Sequence, residues 1–260
     1  MTIDVEKNYT LFRRWVNEFV TVGDPATFTE WLDTTDFKVA PASTKYHLNV
    51  EGGLCQHSLD VFKRLIKLMK AEYGDEENWK YDRATIALVG LLNAVSKVGT
   101  YKKYARNVRN DETGQWETVV AYTVVDDANK LICGNDVDNT LKILRSFFDI
   151  SDDVEMAIRY HRGAFAADTW EDKNDLSLAL AKCPLALLLH IAEMQATYID
   201  ENEKEFDWAY DIDKFFKEKA EREEQARLEA EQAEQGGEEV VANTEPNTQT
   251  AVTANNAIPF

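Results

Sequence analysis

A run of basic and aromatic residues in the middle of the chain is the part of the sequence whose residue types most directly indicate chemistry. Lysine and arginine side chains follow a phosphate backbone, and aromatic rings stack on bases; together they hold single strands without reading their sequence. The pattern predicts a nucleic-acid-binding surface made by Lys97, Tyr101, Lys102, Lys103, Tyr104, Arg106, Arg109 and Trp116. The alternative is an ordinary solvated basic face, with Trp116 packed against the core.

The acidity of the chain does not exclude such a surface. The 260 residues carry a formal net charge of −18, but the stretch 201–240 alone holds fifteen Asp or Glu against six Lys or Arg. Half of the acidic excess therefore lies in one C-terminal segment, and the overall charge says little about the remainder. The 44% content of hydrophobic residues is typical of a globular protein.

Four segments of the sequence that contain histidines and a glutamate together resemble one protein family. These segments are residues 41–59, 91–103, 157–163 and 184–198. Over about two thirds of the chain, roughly residues 37–200, they resemble the HD superfamily of metal-dependent phosphohydrolases. The resemblance implies a helical fold whose histidines and carboxylates hold divalent ions that activate water against a phosphoester. The remaining metal-ligand candidates that it implies are His57, His161 and Glu193.

The doublet Asn93-Ala94 stands where members of this superfamily often carry His-Asp. Asparagine is a weak neutral oxygen ligand and alanine supplies no ligand atom, so we expect metal-dependent hydrolysis to be lost. Two interpretations of the three remaining candidates stay open. They form either a reduced site for one Zn²⁺, Mn²⁺ or Mg²⁺ ion, or a set of structural polar residues that line an old pocket. We expect no cofactor, and a residual divalent metal is the alternative.

The last three residues, Ile258, Pro259 and Phe260, carry a second resemblance. A compact domain followed by an acidic segment, a polar linker and a terminal Ile-Pro-Phe is similar to the layout of bacterial single-stranded-DNA-binding proteins. In those proteins the tail is captured by replication and repair partners, which implies partner binding at this end. Asn255, Asn256 and Ala257 replace the acidic residues usual there, which weakens the electrostatic part of such docking. The alternative is an ordinary disordered tail.

The elements that must position these residues are mainly helical. Apolar residues at helical spacing predict helices over about 8–20, 54–73 and 84–98. A glycine-containing loop between two short β-prone runs predicts a small β-hairpin at about 108–125. The predicted fold class is thus mainly α, an HD-type helical domain with one hairpin.

Composition divides the chain into three predicted parts. Residues 1–200 form the helical domain, 201–235 a charged helical extension, and 236–260 a polar tail that cannot build a core and should be disordered. Three unpaired cysteines, no apolar leader and no long apolar run predict a cytoplasmic protein without membrane contact. The compact layout would suit a bacteriophage protein in the host cytoplasm.

These observations predict a catalytically inactive HD-fold protein that binds nucleic acid, single-stranded DNA foremost, in phage DNA replication or repair. Partners would be recruited by the C-terminal tail. One alternative is a metal-dependent phosphohydrolase that acts on nucleotides or phosphoesters through the reduced site. The other is a structural or regulatory module that works through protein contacts.

Overall fold

A computed structural model describes residues 3–110, 113–126 and 134–201, together with residues 224–225 and 227–229. The chain divides into two compact units, Met1–Lys204 and Glu205–Phe260. The described residues of the second unit are helical. The rest of the predicted extension beyond Glu201 lies outside the described residues, as do the predicted tail over 236–260 and the tripeptide 258–260.

The first unit is mainly helical, in agreement with the mainly α part of the predicted fold class. Its described α-helices are α1 (Val5–Phe19), α2 (Pro25–Asp33), α3 (Gly53–Tyr73), α4 (Arg83–Leu92), α5 (Asp136–Phe147), α6 (Asp152–Tyr160), α7 (Trp170–Lys182) and α8 (Pro184–Gln195). Short 3-10 turns follow at Glu76–Asn78, Val95–Lys97 and Gly163–Ala166. A π-helical turn, Ala196–Asp200, continues α8 and delivers Glu201.

Local sequence determines where several of these helices begin. Side-chain caps that accept a backbone N–H of the first turn are provided by Asp4, Asp24, Asp82, Asn135, Ser151 and Thr169. At α7, Thr169 and Asp172 form a reciprocal capping box. Pro184 occupies the start of α8, where its missing N–H has no helical partner to lose. Each cap contributes about 1 kcal/mol.

The core surrounds α3 and α4. Helix α3 packs against α1, α4 and α8, and residues 86–92 of α4 are all buried, as expected for a helix that is apolar on every side. Each large apolar side chain buried here contributes about 1.5–3 kcal/mol. The helix predicted over 84–98 ends at Leu92. Val95 and Val98 in the turn that follows are still buried, so their apolar character extended the prediction too far.

Two glycines bring the loop before α3 against the start of that helix. Gly52 has a φ of +78°, and a Cβ on Gly53 would lie 2.1 Å from the carbonyl oxygen of Leu48. Leu48 itself has a φ of +43°, alone among the described non-glycine residues in being positive. This constrained loop places the ring of His47 with its centroid 5.0 Å from that of His57.

The β-structure is one antiparallel ribbon, β1 (Tyr101–Arg109) and β2 (Trp116–Val124), paired from Tyr101↔Val124 to Arg109↔Trp116. A hairpin is confirmed, but its predicted start near residue 108 is wrong, because β1 already begins at Tyr101. Strand β1 is solvent-exposed over most of its length and carries basic and polar side chains on both faces. It therefore lacks the alternation of apolar and polar residues by which a half-buried strand is recognised.

Among the described residues, no single helix has both the length and the apolar character needed to cross a membrane. One pair of consecutive helical segments, Trp170–Lys182 and Pro184–Asp200, meets the criterion jointly but is bent by 106°.

Candidate functional site

His57 is the centre of a buried cluster of polar side chains. It lies on α3 and is fully buried. Its Nδ1 is 2.8 Å from Oε1 and 3.1 Å from Oε2 of Glu201, and its Nε2 is 3.1 Å from Oε1 of Glu193. A carboxylate accepts at each ring nitrogen, so both nitrogens donate and the ring is an imidazolium.

The charges of the cluster stabilise one another. Burial disfavours a charged imidazole, but the carboxylates of Glu193 and Glu201 outweigh it and raise the pKa of His57 to about 10. Burial likewise disfavours a charged Glu193. The pKa of this carboxyl is nevertheless lowered, because the positive charge of His57 and the hydrogen bond that His57 donates outweigh burial, and the charge of Lys97 adds to the effect. At neutral pH the cluster is therefore one buried imidazolium between two carboxylates.

The three predicted metal-ligand candidates are only partly brought together. His57 and Glu193 are in contact, whereas His161 lies at the end of α6 and donates from Nδ1 to the carbonyl oxygen of Ile158 at 2.6 Å. Burial lowers the pKa of His161, although the charge of Glu193 opposes this. No hydrogen bond between His161 and Glu193 occurs in the described part of the chain. His161 is therefore oriented by Ile158 and not by Glu193.

Asn93, the first residue of the Asn93-Ala94 doublet, is a hydrogen-bond donor to the cluster. It caps the end of α4, is 3% exposed, and donates from Nδ2 to Oε2 of Glu193 at 2.8 Å. Its Oδ1 is buried and has no partner within the described residues. Ala94 is buried beside it. Both oxygens of Glu193 thus accept from protein groups, one from His57 and one from Asn93.

Two residues of the cluster were not among the predicted candidates, His47 and Glu201. Nε2 of His47 is buried, has no hydrogen-bond partner in the described chain, and lies 3.9 Å from Oε2 of Glu201. Ligand atoms of His47, His57 and Glu201 all lie within 4.8 Å of one another. A second histidine ten residues before His57 was the available signal for His47. Glu201 carried no such signal, because it opens a long acidic run.

The predicted nucleic-acid-binding residues occupy the ribbon and its base. Lys97 and Tyr101 lie at the base, where the ammonium and hydroxyl groups both donate to the carbonyl oxygen of Ala42, at 3.0 and 3.5 Å. Burial raises the pKa of Tyr101 to about 12. These two residues are thus engaged with the body of the first unit and position the ribbon.

The remaining predicted residues lie along the exposed part of the ribbon. Lys102 and Lys103 are paired with Asp126 and Glu51, at 3.2 and 2.7 Å. Within the described residues the side chain of Arg106 has neither an ion pair nor a hydrogen bond. Nε of Arg109 donates to the carbonyl oxygen of Gly114 at 3.1 Å. The ribbon also exposes the aromatic side chains of Tyr104, at 44%, and Trp116, at 72%.

Comparisons of the chain with known protein families, curated proteins and solved structures found no significant match. The resemblances to the HD superfamily and to the tails of single-stranded-DNA-binding proteins therefore remain predictions from the sequence.

Proposed function

We propose that this chain is a non-catalytic protein that binds nucleic acid, single-stranded DNA foremost, along its β-ribbon, and that it acts in DNA replication or repair, in a bacteriophage setting. The observation that carries the proposal is the presence of an exposed arginine–aromatic couple on each face of the ribbon. Tyr104 and Arg106, two residues apart on β1, share one face. Arg109 lies directly opposite Trp116 on the other face.

The exposed rings provide the attractive part of the proposed interaction. Trp116 is a large apolar side chain that the fold leaves in solvent, and Tyr104 is nearly half exposed. Stacking a base on such a ring contributes about 1–3 kcal/mol and requires no particular sequence. On each face the arginine lies close enough to the ring to hold a phosphate next to the base stacked there, Arg106 beside Tyr104 and Arg109 beside Trp116.

We expect replacement of Trp116 by alanine to weaken binding of a fluorescent oligo-dT by roughly tenfold, because a lost stacking contact of about 1.4 kcal/mol is one decade of affinity. Fluorescence anisotropy of the full chain measures this. The matched control is Trp170→Ala, because Trp170 is 73% exposed, as Trp116 is at 72%, but lies on α7. Equal affinities of the two variants would rule out Trp116 as a stacking residue.

The salt dependence of binding should be shallow for a nucleic-acid-binding protein. Residues 101–124 contain four basic and three acidic residues, and two of the lysines already have acidic partners. With about two phosphates neutralised, log Kd should change with log salt by a slope of about 1.4. Titration of wild type and Arg106→Ala at several salt concentrations tests this, with Arg14→Ala as the control. A steep slope that Arg106→Ala leaves unchanged would place the interface elsewhere.

Duplex DNA of matched length is the comparison that tests the preference for single strands. The ribbon should bind it more weakly, because paired bases are not free to stack on Tyr104 and Trp116. Failure of the full chain to bind either form at low salt would overturn the proposal. The interpretation as a structural or regulatory protein-interaction module would then take its place.

Phosphoester hydrolysis through His57, His161 and Glu193 is the alternative enzymatic function. The contact between His57 and Glu193 supports it. Against it, Asn93 directs an N–H donor at Glu193, where a metal would require an acceptor, and Ala94 has no ligand atom. A divalent-metal-stimulated activity on a panel of phosphoesters, abolished by His57→Ala, would favour the enzyme.

The proposal includes recruitment of replication or repair partners by Ile258, Pro259 and Phe260, and this part rests on the sequence. A rigid and apolar Pro-Phe pair suits capture in a small apolar pocket. Deletion of Phe260 should leave oligo-dT affinity unchanged, since the two activities use different parts of the chain.

A further inference from the structure

His47, His57 and Glu201 converge on one point, on the opposite side of the His57 ring from Glu193. We propose that these three residues form a binding site for a divalent transition-metal ion, Zn²⁺ in particular. The ion would lie between Nε2 of His47, Nδ1 of His57 and the carboxylate of Glu201. This site differs from the predicted set of His57, His161 and Glu193, and it goes beyond the proposed nucleic-acid binding without depending on it.

The distances suit a small tetrahedral ion. Zinc–ligand bonds of 2.0–2.1 Å place neighbouring ligand atoms of a tetrahedral site about 3.3 Å apart. Here Nδ1 of His57 lies 2.8 and 3.1 Å from the two oxygens of Glu201, and Nε2 of His47 lies 3.9 Å from Oε2 of Glu201. All three ligand atoms fall within 4.8 Å. Movements of these three side chains by about 1 Å or less would bring their ligand atoms to the spacing of a tetrahedral zinc site.

His47 supplies a ligand in the required state. Burial, helped by the positive charges of His57 and Lys97, lowers the pKa of His47 to about 3. The imidazole is therefore neutral, which is the form that binds metals. Its Nε2 is buried without a hydrogen-bond partner in the described chain, an arrangement that costs free energy unless a further group is bound there. The side chain is 16% exposed, which leaves access for an ion and for water as a fourth ligand.

Glu193 and Asn93 provide the supporting contacts that metal-binding histidines usually have. A ligating histidine commonly donates its second ring N–H to a carboxylate, which fixes the tautomer and the ring orientation. His57 does this at 3.1 Å to Glu193, and Asn93 holds the other oxygen of Glu193 at 2.8 Å. With Nε2 carrying a proton, Nδ1 is the nitrogen available to an ion. Asn93 would thus support the proposed site indirectly, because it holds Glu193 at Nε2 of His57 while the ion binds at Nδ1 of the same ring.

The charges of the cluster also favour replacement of the Nδ1 proton of His57 by a zinc ion. In the metal-free cluster one imidazolium faces the two carboxylates of Glu193 and Glu201. Binding of Zn²⁺ would release the Nδ1 proton of His57 to solvent and leave a dication between the same two carboxylates. The ion would also fix Glu201, the last described residue of the first unit, to the start of α3.

Zinc titration of the full chain, after treatment with a chelator and against a chromophoric competitor, tests the proposal. We expect one Zn²⁺ per chain, with the affinity lowered by about 100-fold or more in His47→Ala and in Glu201→Gln, since even supporting residues of metal sites contribute about 10–100-fold. His161→Asn is the matched control and should bind zinc as wild type does. Co²⁺ should give the visible absorption of a tetrahedral site in wild type and lose it in His47→Ala.

The same variants also distinguish the proposed site from the predicted ligand set of His57, His161 and Glu193. Thermal unfolding of each metal-free variant shows whether it folds, and His47→Gln serves if the alanine variant does not. Failure of wild type to bind zinc in stoichiometric amount would overturn the proposal. So would loss of binding in His161→Asn with retention in His47→Ala, which would return the ion to the predicted ligand set. Oligo-dT binding is measured separately, so failure of one proposal leaves the other standing.

Discussion

Replacement of Glu193 by alanine is expected to lower the free energy of unfolding of the metal-free protein by about 2–4 kcal/mol. The carboxylate accepts from Nε2 of His57 at 3.1 Å and from Nδ2 of Asn93 at 2.8 Å. Its removal leaves two buried donors without an acceptor and takes one of two negative partners from a fully buried imidazolium. Each buried donor left without an acceptor costs about 1–3 kcal/mol, whereas the charge of His57 keeps Glu201 as a partner.

Denaturant unfolding in the presence of a chelator, followed by circular dichroism, measures this loss. For a unit of this size it corresponds to a fall in melting temperature of roughly 10 °C. Glu193→Gln should cost less than alanine, because the amide of Asn93 can rotate and offer its unpartnered Oδ1 to the glutamine N–H. The control is Glu30→Ala, an exposed carboxylate on α2. A loss for Glu193→Ala no larger than that of the control would mean that the cluster is not a charged pair.

The helical framework could largely be predicted, because its signals are local. Apolar residues at helical spacing locate α1 and α3. These signals depend on neighbours within one or two turns, and the folded chain preserves them. The start of β1 at Tyr101 was missed, because an exposed strand has no buried face to impose a pattern.

The candidate site was predictable only in part, because its contacts join distant segments. Glu201 contacts His57 across 144 residues of sequence. It was assigned to the acidic extension, since its composition matches that of the solvated glutamates after it. His47 reaches the cluster because Gly53 permits a close approach that no side chain would, and because Leu48 adopts a rare backbone conformation. Such geometry depends on tertiary packing and leaves little trace in a single sequence.

The stability of the metal-free protein is expected to pass through a maximum near pH 6.5. Above this pH unfolded His57 is neutral, with an ordinary pKa near 6.5, whereas in the folded cluster its pKa is about 10. The folded state then binds the extra proton, so the free energy of unfolding falls by about 1.4 kcal/mol per pH unit. Below pH 6.5 the sign reverses. The lowered pKa values of His47 and His161 mean that the unfolded state now binds protons that the folded state excludes.

Unfolding at pH 5.5, 6.5 and 8.0 in the presence of a chelator tests both sides of this maximum, and the loss by pH 8.0 should be about 1 kcal/mol, because the slope is zero at the maximum and steepens only above it. Higher pH is avoided because burial raises the pKa of Cys55 to about 12, and this thiol adds a loss of the same sign above about pH 8.5. His57→Gln should remove the fall in stability above pH 6.5, and His47→Gln should reduce the fall below it. A wild-type stability that rises from pH 6.5 to 8.0 would contradict the assignment of a proton to both nitrogens of His57. The fall in stability above pH 6.5 therefore reports the same Nδ1 proton that a bound metal ion would have to displace.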